Sequence, residues 1–159
     1  MKRLLRFALI GIVLLAQTSC FKENDFLYNK KTVVEFQATV VTSFAVGKTY
    51  PLLPIKNGAG AQTTQVNLVG AQRNTDEVIK FSVDKDNTTA VEGVHYSLNG
   101  GTFTIPAKSS FGSCSVNILT GAAPTGTTQT VDLVLILEGN GSDITPNENY
   151  KKVGYRISF

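Results

Sequence analysis

Along most of the chain, apolar residues recur at every second position, the period of a strand with one face buried. The clearest case is the stretch from Thr32 to Phe44, in which Val34, Phe36, Ala38, Val40 and Phe44 face one way and Glu35, Gln37 and Thr39 the other. The alternation predicts one long strand here. Further strands are expected at 50–55, 65–69, 78–83, 94–98, 102–105, 113–119, 131–137 and 153–159. Pro51 and Pro54 place the second of these at a sheet edge, because proline has no N–H to give to a ladder. The run from Val131 to Leu137 is apolar on both faces after Asp132, which suits the middle of a sheet. Cys114 is in phase with Val116 and Ile118 and is therefore a core position, acting as a small hydrophobe with no disulfide expected. The Gly/Thr/Ala-rich stretches 56–61 and 121–128 read as surface loops.

Register can be argued at one place, since Asn99-Gly100 is the preferred pair for a two-residue type I′ hairpin turn. Such a turn sets Leu98 opposite Gly101, Tyr96 opposite Phe103 and Val94 opposite Ile105, with Val94, Tyr96, Leu98, Phe103 and Ile105 on one face. His95, Ser97, Thr102 and Thr104 then fall on the other, polar face, so His95 is expected to be exposed. Gly101 leaves a three-residue loop open as the alternative.

Short strands, regular turn signals and no sustained helical period predict an all-β fold, an antiparallel immunoglobulin-like β-sandwich. The rival is a membrane barrel. The alternating end from Val153 to Phe159 resembles the C-terminal signal of outer-membrane barrels. The long Gly/Thr/Ala loops and the doubly apolar 133–137 run suit a packed sandwich better than a barrel wall with one polar face.

Ahead of the strands stand Lys2, Arg3 and Arg6, then an apolar run over 7–16, then Thr18-Ser19-Cys20, the three parts of an export signal. The run is about half of the ~20 residues that span a bilayer. Residues 1–19 are therefore expected to be a cleaved leader, 20–31 a tether and 32–159 a single domain. A Cys after small residues at the end of an apolar run resembles the bacterial lipobox, whose Cys is acylated and becomes the new N-terminus. Gln17 departs from it, standing where lipoboxes usually carry an aliphatic residue. The resemblance implies lipid attachment at Cys20 and an outer-membrane location. The alternative is an ordinary cut between Ala16 and Ser19 that leaves Cys20 a free thiol, a liability in an oxidising compartment that acylation removes. The tether's Lys22-Glu23-Asn24-Asp25 resembles the acidic signals that send Bacteroidetes lipoproteins to the outer face; a solvated linker without an address fits the same residues.

The leader also corrects the charge balance. The full chain has 15 Lys+Arg against 12 Asp+Glu, but Lys2, Arg3 and Arg6 leave with the leader, so 12 remain on each side. A neutral mature chain excludes nucleic acid and a polybasic membrane face, both of which need an excess of Lys/Arg on one surface.

Three segments together, Thr88-Thr-Ala-Val-Glu-Gly-Val-His-Tyr-Ser97, Gly101-Thr-Phe-Thr-Ile-Pro-Ala-Lys108 and Ser115-Val-Asn-Ile118, resemble the Calx-beta domain. That family's pattern is Ala-x-x-Gly-x-Asp-Tyr, a hairpin into Gly-x-Leu-x-Phe, and an alternating strand. The segments also resemble a Gly-x-His-Tyr variant in Bacteroidetes surface lipoproteins of unknown function. The resemblance implies an immunoglobulin-like sandwich that binds calcium through clustered acids or serves adhesion and interaction. The calcium site carries over badly: His95 stands where the family has Asp, and the 120–126 loop has no carboxylate. Calcium takes six to eight oxygens, several of them charged. Asp84, Asp86 and Glu92 offer three from one loop, but the same residues read as solvated turn acids, with Asp86-Asn87 capping the loop. No metal is expected.

Catalytic chemistry is thin. With one histidine, a triad could centre only on His95; clustered zinc ligands and a phosphate-cradling glycine loop are both missing from the sequence. The sequence thus predicts a membrane-anchored lipoprotein carrying a non-catalytic sandwich, without cofactor, as a structural or protein-interaction module at the cell envelope. The alternative is a glycan-binding accessory of a polysaccharide-uptake system. With no Trp, the candidate stacking residues for a sugar are Tyr28, Tyr50, Tyr150 and Tyr155.

Overall fold

Alternating sequence becomes two stacked sheets in a computed structural model that describes residues 31–126 and 129–159. The expected leader, Cys20, Tyr28 and all of the tether but Lys31 lie outside the described residues. The elements run β1 (Thr32–Phe36), α1 (Gln37–Val41), β2 (Leu52–Lys56), β3 (Gly60–Val69), β4 (Glu77–Val83), β5 (Tyr96–Leu98), β6 (Thr102–Ile105), β7 (Phe111–Ile118), β8 (Thr130–Gly139), β9 (Ile144–Pro146) and β10 (Lys152–Ser158). The first sheet has the order β5-β7-β3-β1-β9 and the second β2-β10-β8-β4-β6. Neighbours pair antiparallel except at two edges, where β9 lies parallel to β1 and β2 parallel to β10. The predicted all-β sandwich is the fold observed.

The core lies between the sheets. Val34 and Phe36 of β1, Val66 and Leu68 of β3, and Cys114, Val116 and Ile118 of β7 meet Ile79 and Phe81, Phe103 and Ile105, Leu133, Leu135 and Leu137, and Val153, Tyr155 and Ile157 from the opposing sheet. The doubly apolar run is central, as expected: β8 lies between β10 and β4, and its outward Val134 is as fully buried as its inward Leu133. Gly154, beside Val134 in the ladder, explains part of that cover. A Cβ there would sit 2.4 Å from Leu52 Cδ2 and 3.3 Å from Tyr50 Cε2, so a glycine lets the Tyr50 ring lie against β10. The proline-bearing β2 is an edge strand, as its missing N–H groups require.

Two of the expected strand arrangements fail. The long first strand ends at Phe36, and the chain enters a single helical turn. Thr39, expected outside, is buried with its hydroxyl donating to the Lys152 carbonyl, while Val40 and Phe44, expected inside, are exposed. A buried hydroxyl satisfied by a distant carbonyl reverses the faces, and the alternation carries no sign of it.

The second failure is the hairpin. Tyr96 and Leu98 pair with Ile118 and Val116 of β7 in the first sheet, while Ile79 and Lys80 of β4 pair with Phe103 and Thr102 in the second. Residues 99–101 therefore carry the chain from one sheet to the other, with φ of +82° at Gly100 and +66° at Gly101, a conformation glycine alone adopts freely. Inner positions of both sheets face one core, so a crossing strand shows the same alternation as a hairpin. Tyr96 and Phe103 are both buried, but on facing sheets. The sequence also gave no sign of β9, which is only three residues long.

Candidate functional site

The acidic loop after β4 runs along the edge of β8. The Asp84 N–H donates to the Val134 carbonyl, and Thr88 Oγ1 accepts from the Val134 N–H at 3.0 Å. Asp84 is already engaged: its carboxylate accepts from Lys152 Nζ at 2.7 Å and from Asn87 Nδ2 at 2.9 Å. Burial alone would raise this carboxyl's pKa, but those hydrogen bonds outweigh it and hold it below 3.8. Glu92 lies instead near Tyr96, whose hydroxyl is pushed up by burial first and by the Glu92 charge second. Asp84, Asp86 and Glu92 do not converge, and among the described residues no group of three or more His, Cys, Asp or Glu is placed to hold a metal ion. The expected Asp86-Asn87 cap is in fact an Asn87–Asp84 contact.

His95 corrects the sequence reading, for it is only 6% exposed. Its Nδ1 accepts from the Val91 N–H at 2.8 Å, which leaves Nε2–H to donate to the Ala122 carbonyl at 3.1 Å. The ring meets Phe159 edge-on at 5.7 Å between centroids. Gly121 has to pass close by, since a Cβ there would lie 2.4 Å from the Val94 carbonyl oxygen and 2.9 Å from His95 Cδ2. Asn57 pins the same glycine by donating to its carbonyl and accepting from its N–H. With both ring nitrogens engaged by backbone, His95 is a staple joining the turn before β5 to the loop after β7.

Cys114 is buried, as expected, and burial pushes its thiol up to about 12. It pairs in register with Thr64, which is also buried. The Tyr155 hydroxyl is likewise pushed up to about 12, mainly by burial. All three groups are buried inside the sandwich.

Of the tyrosines considered for stacking, Tyr50 and Tyr155 are buried and Tyr150 is half-buried. The most exposed aromatic among the described residues is Phe111, at 56%. It begins β7 opposite Asn67, on the outer face of the first sheet. That face reads Ala61, Thr63, Gln65, Asn67 and Val69 on β3, Phe111, Ser113, Ser115 and Asn117 on β7, Ser97 on β5, and Val33 and Glu35 on β1. Glu35 is the one charged group on it among the described strands, and Asn147 Nδ2 donates to its carboxylate at 2.8 Å. The second sheet's outer face is built differently, with Lys80, Asp132, Glu138, Lys152 and Arg156, the last in a two-pronged pair with Asp132. Sequence reasoning missed the neutral face, although the outward residue types were visible, because β3 and β7 are far apart in sequence. A second exposed feature begins at the end of α1, where Val41, Phe44 and Val46 all lie open to solvent.

Among solved structures, the apo-form Calx CBD1 domain superposes with a TM-score of 0.57 at 9% identity, covering 80% of this chain and 96% of that one. A two-domain protein of unknown function from Bacteroides fragilis gives 0.55 at 7% identity, over 81% of this chain and 46% of that one. A protein of unknown function from Bacteroides ovatus gives 0.53 at 15% identity, over 78% and 43%. The chain thus spans less than half the length of either Bacteroides protein. No family model matches the chain, and no curated protein does. At these identities the likeness is one of fold: the protein is a Calx-beta-like sandwich, as the motif implied.

Proposed function

We propose that the protein is an exported lipoprotein, anchored to the outer membrane through a lipid on Cys20, whose sandwich is a non-catalytic interaction module. The observation that carries the docking role is the exposed apolar segment Val41, Phe44 and Val46. Large apolar side chains gathered at one loop mark interaction sites more often than scattered ones do. Its position fits presentation: Lys31 enters β1 at one end and the segment follows β1 at the other. A five-residue strand separates them by ~16 Å. The engagement of His95 and Asp84 with the fold supports a binding role over a catalytic one.

The test is a photo-crosslinking side chain placed at Val46 in cells, with Lys80 on the charged face as control. A discrete protein adduct at Val46 and none at Lys80 is expected; adducts at neither position, or equally at both, would sink the docking role. Capture of glycans for a polysaccharide-uptake system is the second reading, favoured by the outer face of the first sheet, which is polar with Glu35 as its one charged group among the described strands.

A further inference from the structure

We propose that the outer face of the first sheet, along β3 and β7, binds a neutral, hydroxyl-rich polysaccharide chain; this rests on the glycan reading and names its site and ligand class. The ladder sets Thr63 beside Ser115, Gln65 beside Ser113 and Asn67 beside Phe111, with Asn117 next along β7. These three pairs and Asn117 make a strip ~20 Å long from Asn117 to Phe111. Gln65 Nε2 donates to Asn67 Oδ1 at 2.8 Å, and Asn67 Nδ2 donates in turn to Gln37 Oε1. That chain of amides orients the β1 side of the strip. Toward β7, the side chains of Thr63, Ser113, Ser115 and Asn117 have no hydrogen-bond partner among the described residues.

Hydroxyls and amides both donate and accept, which is what sugar hydroxyls require, and the exposed Phe111 ring offers a face on which a sugar can stack. Charge selects among occupants. The strip has no cation to receive a carboxylate or sulfate, and its lone acid, Glu35, is held by Asn147. An anionic glycan or an anionic lipid surface therefore finds nothing to pair with. A protein partner is a poorer match, since the cores of protein interfaces concentrate aromatic side chains, Met and Arg, while this strip is mostly hydroxyl and amide.

The experiment is native affinity electrophoresis of the full-length protein in mild detergent, through gels containing xyloglucan, mannan or starch as neutral probes and polygalacturonate or alginate as acidic ones. At least one neutral polysaccharide is expected to retard the protein, and neither acidic one. Phe111→Ala should weaken retardation about tenfold, the loss of one stacking contact. Ser113→Lys, which sets a long cation in the strip, should abolish it. Both positions are exposed, so thermal melts should match the wild type, and Lys80→Ala on the other face should change nothing. If no neutral polysaccharide retards the protein, the glycan reading itself fails. If one does but Phe111→Ala and Ser113→Lys bind as the wild type, that reading stands and this site is wrong. Retardation by the acidic polymers, or variants that change the oligomeric state in place of retardation, would also overturn the proposal, the latter by assigning the face to a second copy of the chain.

Discussion

Lys152 Nζ reaches Asp84 over β8 on the outer face of the second sheet at 2.7 Å, joining the start of β10 to the loop after β4. A cation arriving at this loop has to displace an internal ammonium. A folded-state site of ~10 μM affinity in 1 mM calcium would add roughly 2.7 kcal/mol of stability. Thermal melts in chelator and in millimolar calcium are expected to coincide. A calcium-dependent rise lost in Asp84→Asn would show that the loop binds the ion despite Lys152.

The same contact predicts an acid limb. The Asp84 carboxyl titrates below 3.8 in the folded state, so its contribution is present above that value and is lost as pH falls through the lowered one. Denaturant unfolding at pH 7 and pH 3 should therefore show a smaller loss of stability in Asp84→Asn than in the wild type. An equal loss in both would place the acid sensitivity elsewhere.

At the other end of the scale, Cys114 and Tyr155 are held protonated by burial. Both have folded values of about 12, above their ordinary values of 9.0 and 10.0. Their contribution is fully present below those ordinary values and is lost as pH rises toward 12, at about 1.4 kcal/mol per unit of pH for each group. Cys114→Ala should delay the onset of alkaline unfolding by about one pH unit, from the thiol's range to the phenol's. An unchanged onset contradicts the assignment. The native thiol should also resist alkylating reagents that label the unfolded chain at once.

His95 separates the structure from the sequence expectation by experiment. An exposed histidine would tolerate alanine within about half a kcal/mol. A buried one whose Nδ1 receives the Val91 N–H leaves that donor unsatisfied when truncated, and His95→Ala should cost about 2–3 kcal/mol. Phe103→Ala, in the core, should cost ~3–5 kcal/mol. A neutral His95→Ala in urea unfolding would mean that the staple contributes nothing.

How much was legible follows from what alternation encodes. It distinguishes inside from outside, so β4, β6, β7, β8 and β10 were located within one or two residues, and Cys114, Val116 and Ile118 were placed in the core. It does not say which strand lies beside which. In a sandwich both sheets turn their apolar positions to one core, so Tyr96 and Phe103 satisfied a hairpin and a crossing equally well. Reversals such as Thr39 depend on a carbonyl 113 residues away and leave no local trace. His95 was misplaced for the same reason, since its partners are backbone groups of a turn and a distant loop. The neutral strip was visible residue by residue and invisible as a surface, because the β3–β7 pairing that assembles it is long-range.

Cys20 is the proposed point at which a lipid holds the sandwich to the membrane. Cells expressing the full chain, grown with an alkyne-tagged fatty acid and separated into membrane and soluble fractions, test that directly. The wild type should carry the tag and sediment with the membranes, and Cys20→Ala should lose the tag and appear in the soluble fraction. A Cys20→Ala protein that remains tagged and membrane-bound would contradict the lipid anchor, as would an untagged wild type.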